Sequence, residues 1–286
     1  MGVKYLAQRE YHLFAMHPIP VRSMKFDVPG ATDFHPLYIA GSAALSYNHT
    51  AFGLYVALLE PFAVKSFRRV LDKIRDDKLR EEVDRFCRQE AQHYQRHIDF
   101  NKVVLAHGYP GLQARIDGLK GELDGLLGNA SDRFCIGYVE AFESYTTQFA
   151  LRMIGSGLYD HRRTQRAFGE LFKWHMLEEI EHRNVAFDLY QHLYGGYLFR
   201  VRLCWFAQGH MLRFQRDCAA LMSAADVARH GERCRIGTRQ RLQLWMFPLG
   251  MRLRSMLPGY TPHRHRIPPG IAQLSEHFTR QAQSVR

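Results

Sequence analysis

The sequence predicts an all-α protein of 286 residues. Apolar residues recur at spacings of three and four along most of the chain, and the alternation that marks a β-strand is nearly absent. The periodic stretches are separated by breaks rich in glycine and proline, such as "HGYPG" at 107–111. Because 46% of the residues are hydrophobic, the helices are expected to pack around a genuine core.

The first two thirds of the chain divide into an arm and four helices. Residues 1–41 are rich in proline, histidine and aromatic side chains and are predicted to form an irregular arm. Residues 42–195 are predicted to form a four-helix bundle. Its helices are expected at 42–74 with an interruption at Pro61, at 77–106, from Ser131 or Asp132 to about 154, and from about 160 to 194, with a loop holding "LDGLLGNASD" before the third.

Residues 196–286 have a different composition, because arginines are mixed with large apolar side chains. Stretches 196–223 and 239–256 predict additional helices with basic edges, and a proline-rich tail follows, all packed on the bundle. Three roles are open for these helices. They complete the core, they line a pocket for an anionic substrate with an apolar chain, or they lie on a membrane surface.

Composition argues against several classes of protein. The net charge of +11 accompanies no RNA- or DNA-binding motif, so nucleic acid is not expected as a partner. No uninterrupted apolar run approaches the roughly 20 residues needed to cross a bilayer, and no signal peptide is recognised. Five scattered cysteines without a C-x-x-C pair favour a reducing compartment. We therefore expect a cytoplasmic protein, either free or peripheral to a membrane.

Two pairs of glutamate and histidine have a spacing that suits a metal ion. They are Glu90-x-x-His93 in "QEAQHYQRH" and Glu179-x-x-His182 in "KWHMLEEIEHRN". Residues three apart lie on one helical face, roughly 60° apart around the axis. One carboxylate can then bridge two metal ions while the imidazole binds one of them terminally.

Each pair follows a helix that carries a glutamate on its apolar side. Glu60 in "ALLEPF" precedes the first pair by 30 residues, and Glu143 in "EAFESYT" precedes the second by 36. One Glu from each of two helices and a Glu-x-x-His from each of two others form the ligand set of dimetal-carboxylate bundles. Such a set favours two iron ions, with manganese or zinc as alternatives. The predicted metal ligands are therefore Glu60, Glu90, His93, Glu143, Glu179 and His182.

Two of these ligands have competing interpretations. Glu140 competes with Glu143 on the third helix, but neighbours such as Ser144 give Glu140 a more polar edge, and Glu143 is preferred. Pro61 follows Glu60 and removes a backbone donor. It predicts either a kink that turns the carboxylate inward or an ordinary helix end.

Other side chains share a face with the predicted ligands. His97 lies four residues after His93 and His175 seven before His182, and each is either an extra ligand or a packed histidine. Glu178 is either a surface acid or an outer partner that orients an imidazole. The cluster also has a purely structural interpretation, as solvated helix faces with hydrogen-bonded core histidines.

Across roughly residues 40–200 the sequence resembles the family catalogued as predicted metal-dependent hydrolases, which is ferritin-like in pattern. The resemblance is carried by "ALLEPFAVKSF", "QEAQHYQRH", "EAFESYTTQF" and "WHMLEEIEHRNVAFDLY". The first stretch usually reads Phe-Pro-x-Gly-Glu in that family, whereas Ala-Leu-Leu precedes Glu60 here. The third usually has His after its Glu, whereas this chain has Ser144. The resemblance implies a ferritin-like four-helix bundle with additional C-terminal helices, and hydrolysis as the activity.

The ligand types themselves favour oxidation. Hydrolytic zinc sites use few protein ligands and keep a position open for water, whereas four carboxylates and two imidazoles resemble the non-haem di-iron oxygenases. The leading prediction is a di-iron oxidase or oxygenase that acts on a small or amphipathic organic substrate with an electron donor as partner. The alternatives are a metal-dependent hydrolase with the same binuclear site, and a non-enzymatic protein that binds metal or a membrane surface.

Overall fold

The computed structural model describes residues 18–28, 30 and 32–284. They form α-helices joined by loops and short 3-10 turns, and this part of the chain contains no β-strand, which confirms the all-α prediction. The ferritin-like topology stays a prediction. The helices are α1 (Ala43–Arg68), α2 (Asp77–Ala106), α3 (Leu112–Asn129), α4 (Asp132–Gly155), α5 (Arg166–Glu181), α6 (Val185–Leu193), α7 (Tyr197–His230), α8 (Thr238–Ser255) and α9 (Ile271–Ser284).

Two helix pairs build the centre of the molecule. Helix α1 packs along α2, while α4 packs against α5 and α6, and α1 also contacts α4. The longest helix, α7, lies against both α1 and α4, and α8 rests on α4 and α7. One hydrophobic core runs through all these layers, from Ile19 in the arm to Phe278 on α9. No helix of the described residues is long and apolar enough to cross a membrane.

The arm between residues 18 and 42 is irregular in its described part but is not a loose extension. Met24, Phe34 and Tyr38 are buried in the core, and the Tyr38 ring packs on Phe168 of α5 at a centroid distance of 4.9 Å. Arg22 is also buried, at 2% exposure. The arm therefore covers the outside of the helix pair α2 and α5, where its side chains can reach the site.

Helix α1 continues through Pro61, so the predicted interruption at this residue is wrong. The ring removes the amide that would bond to the carbonyl of Ala57. Phe62, Ala63 and Phe67 nonetheless stay on the buried side of the helix as it continues to Arg68. Their packing outweighs the lost hydrogen bond, and Glu60 keeps a regular helical position.

The connection before α4 is largely a helix, which corrects the predicted loop around "LDGLLGNASD". Leu112, Leu119 and Leu123 of α3 recur seven and four residues apart and are buried. The glycines that suggested a loop face open space instead. The prediction of the next helix start is confirmed, because Ser131 caps α4 by accepting the amide of Phe134 at 3.3 Å.

The fourth predicted helix is two helices. The chain from 158 to 160 forms a 3-10 turn, α5 begins only at Arg166, and it ends at Glu181. His182 has φ −95° and ψ 7°, and a new helix starts at Val185. His182 is therefore the residue that follows the end of α5. Its ring position depends on the backbone conformation at this break as well as on the Glu-x-x-His spacing.

Candidate metal centre

The structure brings all six predicted ligands to one point inside the bundle. None of them is more than 3% exposed. They come from α1, α2, α4 and α5 and from the residue that follows α5, so four separate stretches of sequence converge. Those residues are Glu60, Glu90, His93, Glu143, Glu179 and His182.

One group of possible ligand atoms includes a histidine outside the predicted six. Atoms of Glu60, His93, His175 and Glu179 all lie within 4.8 Å of one another. His175 Nε2 is 2.9 Å from Glu179 Oε1 and 3.8 Å from Glu60 Oε1. His93 Nδ1 is 3.8 Å from the same Glu60 oxygen. His175 is thus placed as an inner residue of the cluster, which sequence reasoning had left open.

A second group adjoins the first through Glu179. It contains Glu90, Glu179 and His182, again within 4.8 Å. His182 Nε2 lies 3.4 Å from Glu179 Oε2 and 3.3 Å from Glu143 Oε2. Because Oε1 of Glu179 faces His175 and Oε2 faces His182, this carboxylate stands between the two groups. Glu90 is also central, with Oε1 at 3.5 Å from both His93 Nδ1 and His182 Nδ1.

Many polar atoms that point into this cluster lack a hydrogen-bond partner among the described residues. They include both oxygens of Glu60, Oε1 of Glu90, Nδ1 of His93 and Oε2 of Glu179. A buried polar atom without a partner costs free energy, and such atoms are rare in native proteins. Their convergence fits metal ions, because four ionised carboxylates carry a charge of −4 that two divalent cations would balance.

The proton affinities of the carboxylates reflect this crowding. Burial raises the pKa of Glu60 well above its usual value, and the nearby Glu90 carboxylate adds to the shift. Burial, with repulsion from Glu179, raises the pKa of Glu143 to about 8. Burial alone would also raise the pKa of Glu179, but hydrogen bonds from two histidines lower it well below its usual value. Without metal, the carboxylates cannot all be ionised near neutral pH.

A family model described as predicted metal-dependent hydrolase matches residues 20–266. The chain belongs to this family. Comparison with curated proteins and with solved structures returned no match. The family resemblance is thereby confirmed, and it extends beyond the bundle to include the buried part of the arm and helices α7 and α8. Metal dependence agrees with the buried Glu and His groups, which are able to hold metal ions.

Each histidine of the cluster has one ring nitrogen that faces away from it, and this nitrogen lies next to a polar side chain. His93 Nε2 lies 2.8 Å from Glu178 Oε2, so this carboxylate keeps the proton on Nε2 and leaves Nδ1 facing the cluster. His182 Nδ1 is 2.9 Å from Gln89 Oε1, which leaves Nε2 for the cluster. Such partners prepare both rings for a metal ion, because a histidine binds metal only through an unprotonated nitrogen.

The third inner histidine uses another histidine as its outer partner. His175 Nδ1 is 2.6 Å from His97 Nε2, and both rings are fully buried. Burial, reinforced by the neighbouring His175, lowers the pKa of His97 well below its usual value, so the ring is neutral. His97 approaches the backbone at Gly53, where an added Cβ would lie 3.1 Å from its Nδ1. The structure therefore places His97 outside the cluster and His175 inside it.

The outer partners converge on Arg22, which sequence reasoning missed. Its Nη1 donates to Glu178 Oε1 at 2.8 Å and to Glu181 Oε2 at 2.7 Å. Glu181 Oε2 also accepts from Gln89 at 3.2 Å, so Arg22 is connected to both sides of the cluster. Trp174 Nε1 gives Glu178 a further donor at 2.8 Å. No local pattern in the arm signals this role, because Arg22 is 156 residues from Glu178.

Glu140 and Glu143 have separate environments on α4. Glu140 Oε1 lies 3.2 Å from Nη1 of the buried Arg200 on α7 and accepts the Ser144 hydroxyl at 2.7 Å. Glu143 faces His182 instead. Glu140 therefore has its own counter-ion, and the structure brings Glu143 alone of the two into the cluster.

A third His and Asp group lies outside the bundle centre. His107 Nε2 and His230 Nε2 are 3.3 and 4.0 Å from Asp226 Oδ1. The Tyr109 hydroxyl donates to the other oxygen at 2.8 Å, and Arg229 Nη1 is 3.9 Å from the first. Because a guanidinium already supplies positive charge there, this group ties the end of α2 to α7.

Proposed function

We propose that the protein is a metal-dependent hydrolase whose buried cluster holds two divalent metal ions. The observation that carries the proposal is Glu179, whose two oxygens face two different His and Glu groups. The ligands at one position are Glu60, His93, His175 and Glu179, and those at the other are Glu90, Glu143, Glu179 and His182.

The chemistry follows from what such ions supply and what the chain adds. When bound, a pair of divalent ions lowers the pKa of a coordinated water and polarises a carbonyl or phosphoryl oxygen. The chain holds the proton of His93 at Nε2 through Glu178 and that of His182 at Nδ1 through Gln89. Complete burial excludes bulk water and strengthens every charge interaction in the cluster. The substrate class that best fits is one with a hydrolysable ester, amide or phosphoester bond.

Metal binding is tested first, by metal analysis after loading the protein with manganese, zinc or anaerobic Fe(II). We expect about two ions per chain, with loss of binding in Glu179→Gln. The matched control is Glu170→Gln on the same helix, where the carboxylate pairs with the exposed Arg166. Equal metal content in the two variants, or no metal in the parent protein, would remove the proposal.

Activity is tested with the manganese- or zinc-loaded protein under nitrogen. The assay uses chromogenic carboxylic esters, phosphate esters and anilides, and the chelated protein serves as the blank. We expect hydrolysis of one of these classes, which disappears on chelation and in Glu179→Gln but not in Glu170→Gln. A metal-loaded protein that is inactive on all of them under nitrogen would contradict hydrolysis.

A second function is favoured by one feature, the excess of carboxylates. Four carboxylates around two positions match the ligand set of di-iron bundles, as the sequence predicted, and Glu60, Glu90, Glu143 and Glu179 would hold the two irons together with the histidines. This function needs an electron donor and an oxidisable substrate that is small or amphipathic. His175 adds a third imidazole to the predicted set. Oxygen uptake by the Fe(II)-loaded protein, absent from the Zn-loaded protein, would favour oxidation over hydrolysis.

A further inference from the structure

The outer side of α7 and α8 is apolar, although it faces solvent. Of the ten large hydrophobic side chains that are exposed among the described residues, nine lie on α7, on α8 or just after α8. We call the area around six of them the Trp205–Trp245 surface: Leu198, Trp205 and Phe206 on α7, and Leu242, Trp245 and Met246 on α8. Trp245 is 67% exposed and Leu198 is 70% exposed, values that a core residue never has.

The apolar side chains follow helical spacing, so they form a stripe rather than a scatter. On α8, Leu242, Trp245, Met246 and Leu253 are spaced three, one and seven residues apart and share the exposed face. The opposite face carries Pro248 and Met251 into the core. The helix is therefore apolar on both sides, and an exposed apolar patch of this kind marks an interaction site.

The two helices are held together as one surface. Arg252 of α8 donates to the carbonyl of Trp205 at 2.9 Å, and its guanidinium stacks on the Trp205 ring at 4.2 Å. The Tyr197 hydroxyl donates to the Met256 carbonyl at 2.8 Å, and Gln208 donates to Ser255 at 3.0 Å. The stripe on α8 and the exposed residues of α7 are thus fixed relative to each other before any partner binds.

The chain segments that carry this surface have charged side chains of one sign. Residues 197–216 and 233–275 contain no aspartate or glutamate, whereas they contain four and eight arginines. Arg202, Arg239, Arg241 and Arg254 are exposed beside the apolar stripe. Two copies of this chain would bring two positive surfaces together, which opposes self-association through it. An occupant must be apolar and anionic at once.

We propose that the Trp205–Trp245 surface docks the protein on an anionic lipid bilayer. Tryptophan and leucine side chains insert at the level of the headgroups, and arginines at the edge meet lipid phosphates. The proposal does not depend on the chemistry of the metal centre. It accounts for the concentration of exposed apolar residues on two neighbouring helices and for the absence of acids from residues 197–216 and 233–275.

The test is partition of the full chain into vesicles, followed by sedimentation and by tryptophan fluorescence. One set of vesicles is phosphatidylcholine alone, and the other also contains phosphatidylglycerol. We expect binding to the anionic vesicles, weakened by salt, and a blue shift of the emission. Trp174 is fully buried, so the shift would come from Trp205 and Trp245 and shrink in Trp245→Phe.

Paired variants separate the apolar and the charge contributions. Leu242→Glu with Trp245→Glu should abolish binding, while Gln95→Glu with Gln113→Glu, at exposed positions on other helices, should not. Arg239→Gln with Arg254→Gln should lower partition about 30-fold, because each arginine near an anionic surface contributes about a fivefold gain. Lys78→Gln with Lys102→Gln on α2 is the charge-matched control.

Three results would overturn the proposal. The first is a parent protein that does not bind anionic vesicles. The second is binding that Leu242→Glu with Trp245→Glu leaves unchanged. The third is an oligomer in solution that the same double variant dissociates, because the surface would then be an interface between copies. Circular dichroism of each variant verifies that it is folded, as expected for substitutions at exposed positions.

Discussion

Proteins usually bury apolar side chains and expose charged ones. The metal centre departs from this rule by burying charged groups, and the Trp205–Trp245 surface departs from it by exposing apolar ones. The centre buries four carboxylates and three imidazoles among helices α1, α2, α4 and α5. The surface exposes tryptophan, leucine and methionine to solvent on α7 and α8. Each arrangement is unfavourable for the isolated protein. The comparison teaches that burial of charge and exposure of apolar surface each call for a partner, and we propose a cation for the first region and an anionic bilayer for the second.

The largest effect is expected at the outer support of the metal centre. Arg22→Met leaves Glu178 and Glu181 as buried charges without a cation, and should lower the free energy of unfolding by about 3–5 kcal/mol. Chemical denaturation measures this change. Arg166→Met, which breaks an exposed pair with Glu170, should cost about 1 kcal/mol or less. If both variants lost the same free energy of unfolding, burial of the Arg22 ion pairs would add no stability.

A smaller effect on the protein is expected when Gln89, the neutral partner of His182, is replaced, because no buried charge is left without a counter-ion. Gln89→Leu takes away the acceptor that orients His182 at 2.9 Å. Outer partners of this kind typically change metal affinity by about 10–100-fold, and the apoprotein should stay folded. Competition with a chelator measures the affinity. Gln95→Leu, at an exposed position on the same helix, should bind metal as the parent does.

The stability of the apoprotein should fall as pH rises above neutrality. The pKa of Glu143 is raised to about 8 in the folded state, so its contribution to stability is present at low pH and is lost as pH rises through that value. Glu60, His93 and His182 have raised pKa values and act in the same direction. Histidines with lowered pKa values are neutral in the folded and the unfolded state above pH 7, so they do not contribute to this pH dependence.

For Glu143 alone the expected loss between pH 7 and pH 9 is about 1 kcal/mol. Thermal unfolding of the chelated protein at the two pH values measures it. Metal loading should reduce this pH dependence, because bound cations keep the carboxylates ionised at both values. An apoprotein that is more stable at pH 9 than at pH 7 would contradict the crowding of carboxylates in the centre.

The smallest effect on stability is expected at the Trp205–Trp245 surface. Trp245→Ser removes a side chain that is 67% exposed, so the free energy of unfolding should change by no more than about 0.5 kcal/mol. Vesicle partition should nonetheless fall. A loss of several kcal/mol on Trp245→Ser would show that the residue supports the fold, and the contrast with the metal centre would then fail.

Much of the centre could be predicted because it follows from local geometry. The Glu-x-x-His spacing places two side chains on one face of any α-helix, and Glu90 and His93 meet for that reason. Glu179 and His182 kept their proximity even though the helix ends between them. The helix periods were equally readable, apart from α3, where exposed glycines obscured the repeat of Leu112, Leu119 and Leu123.

Other assignments stayed preferences or open alternatives, because they depend on which helix faces which. Glu140 and Glu143 are one turn apart on the same buried helix, and only Arg200 on α7 separates their roles. His97 and His175 looked alike in the sequence. Packing of α1 against α2 and α5 placed His175 beside Glu60 and left His97 behind it.

By itself the sequence determined the all-α class, the two Glu-x-x-His pairs and the arginine-rich, apolar composition of residues 196–223 and 239–256, since each depends on neighbours along the chain. Only the tertiary structure decided that His175 lies in the cluster and that Glu140 lies outside it. The same holds for Arg22 of the arm, which binds the outer partners Glu178 and Glu181. Contacts such as Arg22 with Glu178 join residues 156 apart, and no local rule of backbone geometry encodes them. They arise when the helices pack, because buried charges must find their partners at that moment.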